Sequence, residues 1–185
     1  MKLIDTGIKG LVVIESDVFG DSRGYFTETW NKARFSELGI ESGFVQDNES
    51  KSCYGVIRGL HYQIEPYAQA KLVRVISGSV YDVAVDIRKE SPTFGKHFGV
   101  ELTGDNKLQM FIPEGFAHGF SVLSESAVFS YKCSSLYNKE SERGINIFDV
   151  SLAINWKIPR EKAVVSAKDL VQPVFENADF NFIFR

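Results

Sequence analysis

Residues 69–87 read Gln69-Ala70-Lys71-Leu72-Val73-Arg74-Val75-Ile76-Ser77-Gly78-Ser79-Val80-Tyr81-Asp82-Val83-Ala84-Val85-Asp86-Ile87, and this stretch decides the fold class. Two runs rich in β-branched residues, 70–76 and 80–87, are parted by Ser77-Gly78-Ser79, the composition of a hairpin turn. The same grammar continues outward. Strand-like runs occupy 24–30, 44–50, 56–63, 100–103, 108–112, 116–123 and 127–134, and Gly104-Asp105-Asn106 gives a second hairpin signal. Only 31–38 reads as a helix, with Ala33, Phe35 and Leu38 on one side and Gly39 as its stop. From Leu136 the periodicity weakens into loops, a short strand or two and a late helical turn. At the end, Phe180, Phe182 and Phe184 are spaced two apart, which suggests a final strand packed on the body or on a partner subunit. So many short strands with Gly-rich turns predict a mainly β protein, an antiparallel jelly roll with a few short helices.

Composition bounds the function. The 185 residues suit a single domain, 1–185, and 44% hydrophobic content is enough for a core without disulfide or metal staples. A net charge of −3 argues against a general nucleic-acid or membrane-surface binder, so an anionic ligand requires locally clustered cations. No apolar run approaches the roughly 18 to 20 residues of a membrane span, and Met1-Lys2-Leu3-Ile4-Asp5 lacks a signal-peptide core. Cys53 and Cys133 are too few and too far apart for a disulfide framework. The expectation is a cytoplasmic protein with reduced thiols.

The polar residues admit sharp and bland readings. His61, inside an apolar strand, is either functional or a satisfied structural histidine. His118 lies in Pro113-Glu114-Gly115-Phe116-Ala117-His118, a P-x-G-x-x-H pattern like the second motif of cupins, but the strand that should carry an H-x-H pair offers only His61-x-Gln63. Two histidines without a carboxylate at ligand spacing make a poor metal site, so a metal-dependent reading is rejected. His97 reads as a surface or turn residue. Lys71, in line with Val73 and Val75, is either snorkelling or aimed into a pocket. Arg58 and His61 have opposite parity and can share a site only if Gly59 hosts a bulge. Tyr131 shares a face with Phe129 and Cys133. Asp82 and Asp86 lie on the face of Val80 and Ala84, where buried carboxylates need partners.

Taken together these residues resemble a known family. The match, from about Gly10 to Pro173, is carried by Asp21-Ser22-Arg23-Gly24-Tyr25-Phe26-Thr27-Glu28, Gln46-Asp47-Asn48, Arg58-Gly59-Leu60-His61-Tyr62-Gln63, residues 70–75, 82–88 and 112–120, and Lys168-Asp169. The sequence is similar to the dTDP-4-dehydrorhamnose 3,5-epimerases, cofactor-free sugar-nucleotide epimerases on a cupin-like jelly roll. The resemblance implies epimerisation at C3 and C5 of dTDP-4-dehydro-6-deoxy-D-glucose to dTDP-4-dehydro-L-rhamnose, in dTDP-L-rhamnose biosynthesis for surface polysaccharide. By the same resemblance His61 is the base, Asp169 orients it, Lys71 stabilises the enolate and Tyr131 is the acid. Substrate contacts implied are Arg23, Phe26, Glu28, Gln46, Asp47, Asn48, Arg58, Lys71, His118, Tyr137, Glu142 and Lys168. No metal and no cofactor are implied. The family is a homodimer in which an N-terminal strand crosses over, so Arg23, Phe26 and Glu28 are expected to serve the neighbour's site. One segment departs from the family pattern: R-G-I-R-W-x-D-P is here Arg143-Gly144-Ile145-Asn146-Ile147-Phe148-Asp149-Val150. Competing readings are a single-carbon epimerase, a 4-keto-sugar ketoisomerase and a non-catalytic sugar-binding jelly roll.

Overall fold

The structure, a computed structural model, describes residues 1–184. In chain order the elements are β1 (Lys2–Asp5), β2 (Val12–Glu15), β3 (Val18–Asp21), β4 (Gly24–Thr27), α1 (Lys32–Glu37), β5 (Gln46–Cys53), β6 (Val56–Gln63) and β7 (Lys71–Ser77). They continue with β8 (Ser79–Asp86), β9 (His97–Thr103), β10 (Leu108–Ile112), β11 (Phe116–Val122), β12 (Ser126–Cys133), β13 (Glu142–Gly144), β14 (Val164–Val165) and α2 (Ala167–Leu170). Two sheets face each other, ordered β1-β2-β10-β7-β12-β5 and β13-β6-β11-β8-β9, with β14 added in parallel to β6. From β5 to β13 the chain switches sheet at every step except β8 to β9, which is the winding of a jelly roll. The mainly β expectation holds, and the strand readings lie close to the observed elements.

Both proposed hairpins are corrected. Ser77-Gly78-Ser79 and Gly104-Asp105-Asn106 are corners at which the chain leaves one sheet for the other, because β7 and β10 belong to the first sheet and β8 and β9 to the second. The corners stack, with the Gly104 N–H donating to the Gly78 carbonyl at 2.9 Å. A Cβ on Gly104 would meet the Ile76 oxygen at 2.7 Å. The glycines are there because two crossing backbones approach closely, a requirement that local sequence cannot distinguish from a tight turn. A two-residue hairpin does occur between β3 and β4, and both strands stand almost fully exposed.

Strand alternation sorts the core into three layers. Between the sheets lie Val73, Val75, Met110 and Phe129 from one side and Val80, Ala84, Leu102 and Phe120 from the other. The outer face of the second sheet carries Ile57, Tyr62, Val83 and Val85, covered by Trp156, Phe180 and Phe182. On the outer face of the first sheet Ile14, Ala70, Leu72 and Phe111 pack with Phe35 of α1, a helix capped at Asn31, whose Oδ1 accepts from the Ala33 N–H at 3.0 Å. Each such side chain contributes about 1.5–3 kcal/mol by leaving water. The C-terminal segment packs on the body but not as a strand: a 3-10 turn at Phe175–Asn177 leads to one parallel bridge, Lys89 to Ile183. At that bridge Lys89 both donates to the Phe182 carbonyl and accepts from the Phe184 N–H, each at 2.9 Å. His97 is also corrected, since it sits half-buried on β9 opposite Val85, where burial holds its imidazole below the ordinary pKa.

Candidate active site

The site begins with an irregularity in β6. In the β6–β11 ladder His118 pairs with His61 and Phe120 with Arg58, so three steps on β6 match two on β11. This is the bulge that Gly59 was expected to host, and it turns Arg58 and His61 to the same cavity. Gly59 has φ +138°, and a Cβ on it would meet the Cα of Gly119 at 2.6 Å. The facing Gly119 is equally constrained, since its Cβ would lie 2.7 Å from the Arg58 oxygen. A glycine pair is what lets the two strands close around the extra residue.

His61 Nε2 lies 2.6 Å from Asp169 Oδ1. The sequence separation is 108 residues, bridged because β14 runs alongside Val56 and Ile57 and delivers the chain to α2 beneath the bulge. Asp169 is 3% exposed. Burial alone would raise its pKa, but the His61 ring, its charge, the Ser166 hydroxyl and the Gly59 N–H together hold it below the usual carboxylate range. An ionised carboxylate only accepts, so Nε2 carries the proton and Nδ1 is the basic nitrogen of the ring. Ser166 caps α2, its Oγ accepting from the Asp169 N–H at 3.1 Å. Ser166 is not among the residues that the resemblance implies, although Ser166-Ala167-Lys168-Asp169 is a capping-box spacing visible in the sequence.

The cavity measures about 480 Å³ and is lined by Arg58, His61, Lys71, His118, Phe120, Phe129, Tyr131, Lys168 and Asp169 among others. A second lobe of about 160 Å³ shares His61, Lys71 and Tyr131 and adds Gln46, Asn48, Gln63, Tyr137 and Glu142. Lys71 is 9% exposed, with Nζ 3.5 Å from the His61 oxygen. Burial lowers its pKa, against the pull of Cys133, Asp82 and Glu142. Burial, with Cys133 nearby, raises the Tyr131 phenol against the opposing charge of Arg58, so the hydroxyl keeps its proton at neutral pH. Arg58 itself is steadied by Nε donating to Ser52 Oγ at 3.1 Å. The buried His118–Asp82 pair, Nε2 to Oδ1 at 3.0 Å, answers the need of Asp82 for a partner. Burial pushes Asp82 up and His118 down, so each leans towards its neutral form and only Nδ1 of His118 remains for a ligand. Asp86 is paired by Arg88, Ser91 and Thr93 and plays no part in the cavity.

The rim is cross-braced. Glu142 Oε2 takes the Tyr137 hydroxyl at 2.9 Å and Lys168 Nζ at 2.6 Å, while Gln46 Oε1 accepts from the Tyr137 N–H and Gln46 Nε2 donates to Asn48. Gln63 is spent on the loop above, donating to the Tyr67 and Leu136 carbonyls and accepting from the Asn138 N–H. Among the described residues no group of three or more His, Cys, Asp or Glu is gathered to hold a metal.

Four expected contacts are not in this cavity. Asp47 alternates with Gln46 and Asn48 and so points to the opposite face of the sheet, where it pairs with Lys132 at 2.6 Å. Arg23 and Phe26 sit on the exposed β3–β4 hairpin, Arg23 paired with Asp21. Glu28 pairs with Arg34 at 3.2 Å just beyond it.

Residues 5–177 match the sequence model described as dTDP-4-dehydrorhamnose 3,5-epimerase. The chain belongs to that family. It is 54% identical over 181 residues to the dTDP-4-dehydrorhamnose 3,5-epimerase of Shigella flexneri, covering 97% of this chain and 99% of the relative. The crystal structure of the Elizabethkingia anophelis 3,5-epimerase superposes with a TM-score of 0.92 at 55% identity, over 96% of this chain and 97% of the other. That of dTDP-6-deoxy-D-glucose-3,5-epimerase from Legionella pneumophila, in complex with dTDP-4-keto-L-rhamnose, gives 0.92 at 49% identity, over 96% and 94%. The chain therefore shares its jelly-roll fold with these 3,5-epimerases.

Proposed function

We propose that this protein is a cofactor-independent isomerase that inverts C3 and C5 of dTDP-4-dehydro-6-deoxy-D-glucose, giving dTDP-4-dehydro-L-rhamnose. The observation that carries the reading is the 2.6 Å His61–Asp169 pair at the wall of a cavity that also holds Tyr131 and Lys71. The C4 ketone acidifies the C–H bonds on either side. His61 Nδ1 takes one such proton, and the resulting imidazolium is stabilised by the Asp169 carboxylate. Electron density moves onto the C4 oxygen, where Lys71 supplies fixed positive charge. Tyr131 returns a proton to the opposite face of the carbon and recovers its own from solvent, to which the His61 imidazolium gives up the proton it took, so that both groups are reset for the second carbon. Proton removal and return on opposite faces is the inversion.

Arg58, Lys168 and His118 serve the diphosphate, the arginine by forked charge-assisted hydrogen bonds. Gln46, Asn48 and Glu142 serve sugar and nucleotide, with Tyr137 stacking on thymine. A homodimer accounts for the β3–β4 hairpin, which exposes Phe19, Tyr25 and Phe26 to solvent at 63%, 59% and 67%. Crossing to a second copy would bury these rings and carry Arg23, Phe26 and Glu28 to the other subunit's cleft. The setting is the cytoplasm and the product feeds a rhamnose-containing surface polysaccharide.

The test is incubation with dTDP-4-keto-6-deoxy-glucose in heavy water, read by NMR and mass spectrometry of the sugar. Deuterium at both C3 and C5 supports the double epimerase. Label at one carbon points to a single-carbon epimerase, and no label above the enzyme-free control overturns the catalytic reading.

A further inference from the structure

Asp169 rides on α2, a single helical turn whose position depends on what holds its two ends. At the entry, β14 is laddered to β6 and Ser166 caps the turn. At the exit the chain is tied three times. Gln172 packs against Gly144, the residue paired with His61 across β13 and β6; a Cβ on Gly144 would lie 2.7 Å from the Gln172 side chain. The Asn146 N–H donates to the Pro173 oxygen at 2.8 Å. The Phe175 N–H donates to Asp149 Oδ2 at 2.6 Å. Asp149 is 7% exposed, and its other oxygen accepts from the Ser151 N–H at 2.7 Å, the Ser151 hydroxyl at 2.5 Å and the Leu152 N–H at 3.1 Å. One buried carboxylate thus joins the 149–152 loop to the segment leaving α2.

Beyond Phe175 the aromatic tail grips the other half of the dyad. Tyr62, the neighbour of His61, points to the outer face of β6, where its hydroxyl donates to the Asp179 carbonyl at 2.9 Å. Its ring meets Phe180 and Phe182 at 6.5 Å between centroids, and Phe94 in turn meets Phe175 in a tilted contact and Phe180 edge to face. The histidine strand and the carboxylate turn are therefore both referenced to residues 172–182.

We propose that Asp149 is a positioning residue for the His61–Asp169 pair, acting through Phe175 and the C-terminal aromatic segment. This rests on the epimerase reading above for its kinetic readout. It also explains why the altered 143–150 segment can differ from the family pattern at Asn146, Ile147 and Val150: the backbone N–H of residue 146 and the carboxylate of Asp149 make the ties, and neither needs the lost side chains. Displacement of a catalytic group by about 1 Å can cost on the order of 100-fold in rate, so a backbone tie remote from the substrate has leverage.

The test is Asp149→Asn. Its Oδ1 keeps the three contacts to the loop, while Nδ2 opposes the Phe175 N–H, donor against donor. The expected result is a kcat about 10- to 100-fold lower, with KM and dTDP affinity within twofold, and loss of the downfield proton resonance of the His61–Asp169 hydrogen bond. Ser151→Ala, which removes a bond from the same carboxylate on the loop side only, should keep both kcat and the resonance. Should Asp149→Asn not fold, Phe175→Pro removes the same N–H at the first position of a 3-10 turn, where proline is tolerated, and the same loss is expected. Unchanged kcat and an unchanged resonance in the folded variant would overturn the proposal, as would equal losses in Ser151→Ala. The resonance is read without substrate, so a wild-type protein that shows it but exchanges no deuterium refutes the epimerase reading, not the positioning role.

Discussion

Asp169→Asn tests the core of the mechanism. In the native protein a carboxylate that is 3% exposed sits 2.6 Å from His61 Nε2 and is held ionised by three neighbouring groups, the His61 ring, the Ser166 hydroxyl and the Gly59 N–H. Asparagine keeps the shape but offers an amide that can donate to Nε2, which favours the tautomer with its proton on Nδ1, the nitrogen needed as base. It also withdraws the charge that stabilises the imidazolium. Breaking a buried charged pair by removing one partner costs about 3–5 kcal/mol. At about 1.4 kcal/mol per tenfold this corresponds to a rate loss of roughly 100- to 4000-fold. The assay is the initial rate of deuterium entry at C3 and C5, with dTDP affinity measured by calorimetry on the same sample. Binding should be unchanged because Arg58 and Tyr137 remain. The variant should also change how stability depends on pH. The folded pKa of Asp169 lies below its unfolded value of about 3.8, so its contribution is complete above that value and is lost as pH falls through the folded pKa. Acid unfolding of Asp169→Asn should therefore lack this component. Turnover within tenfold of wild type would refute the assignment of Asp169.

Three further outcomes follow from neighbouring residues. Tyr131→Phe should retain deuterium exchange at the abstracted position while inversion falls sharply; equal loss of both would show that Tyr131 is not simply the acid. Lys71→Met should slow turnover at least 100-fold yet leave the melting temperature unchanged or higher, because a buried ammonium whose pKa is lowered by burial opposes folding in its charged form. A clear fall in the melting temperature would contradict that reading of the lysine. Gly59→Ala should cost about 2–6 kcal/mol, summing the strain of a glycine-only φ and the overlap with Gly119; a denaturant melt showing less than 1 kcal/mol would mean that the bulge is not sterically fixed.

The fold was legible where local chemistry and tertiary role coincide. Residues 56–63 and 108–112 alternate or run apolar because both strands line packed faces, and their boundaries were read correctly. The corners at Gly78 and Gly104 were misread because their glycines answer to a crossing chain far away in sequence. Asp47 was misplaced for the opposite reason: a motif was transferred whole, although strand parity already separated it from Gln46 and Asn48. The bulge at Gly59 was legible from a parity conflict between Arg58 and His61. Its partner constraint at Gly119 was not, since only the folded ladder brings the two glycines together. Asp149 was invisible as a tie because its acceptor role is to backbone N–H groups that no side-chain pattern announces.

The electrostatics of the cavity reconcile a dianionic nucleotide sugar with a chain of net charge −3. Of the carboxylates near the wall, Asp82 leans towards neutrality by burial against His118, Asp169 is committed to His61, and Glu142 is neutralised by Lys168. Among the described residues that line the cavity, Arg58 and Lys71 are then the lysine and arginine side chains without a short ion pair. They flank His61 in different ways, Arg58 on the same strand across the bulge and Lys71 on the facing sheet. This division suits the proposed chemistry: Arg58, joined at the rim by Lys168, for the diphosphate, whose charge is permanent, and Lys71 for an enolate, whose charge exists only in the transition state and intermediate. A lysine already destabilised by burial gains most when that negative charge appears beside it, and its binding energy is then realised in the reaction itself rather than in the ground state.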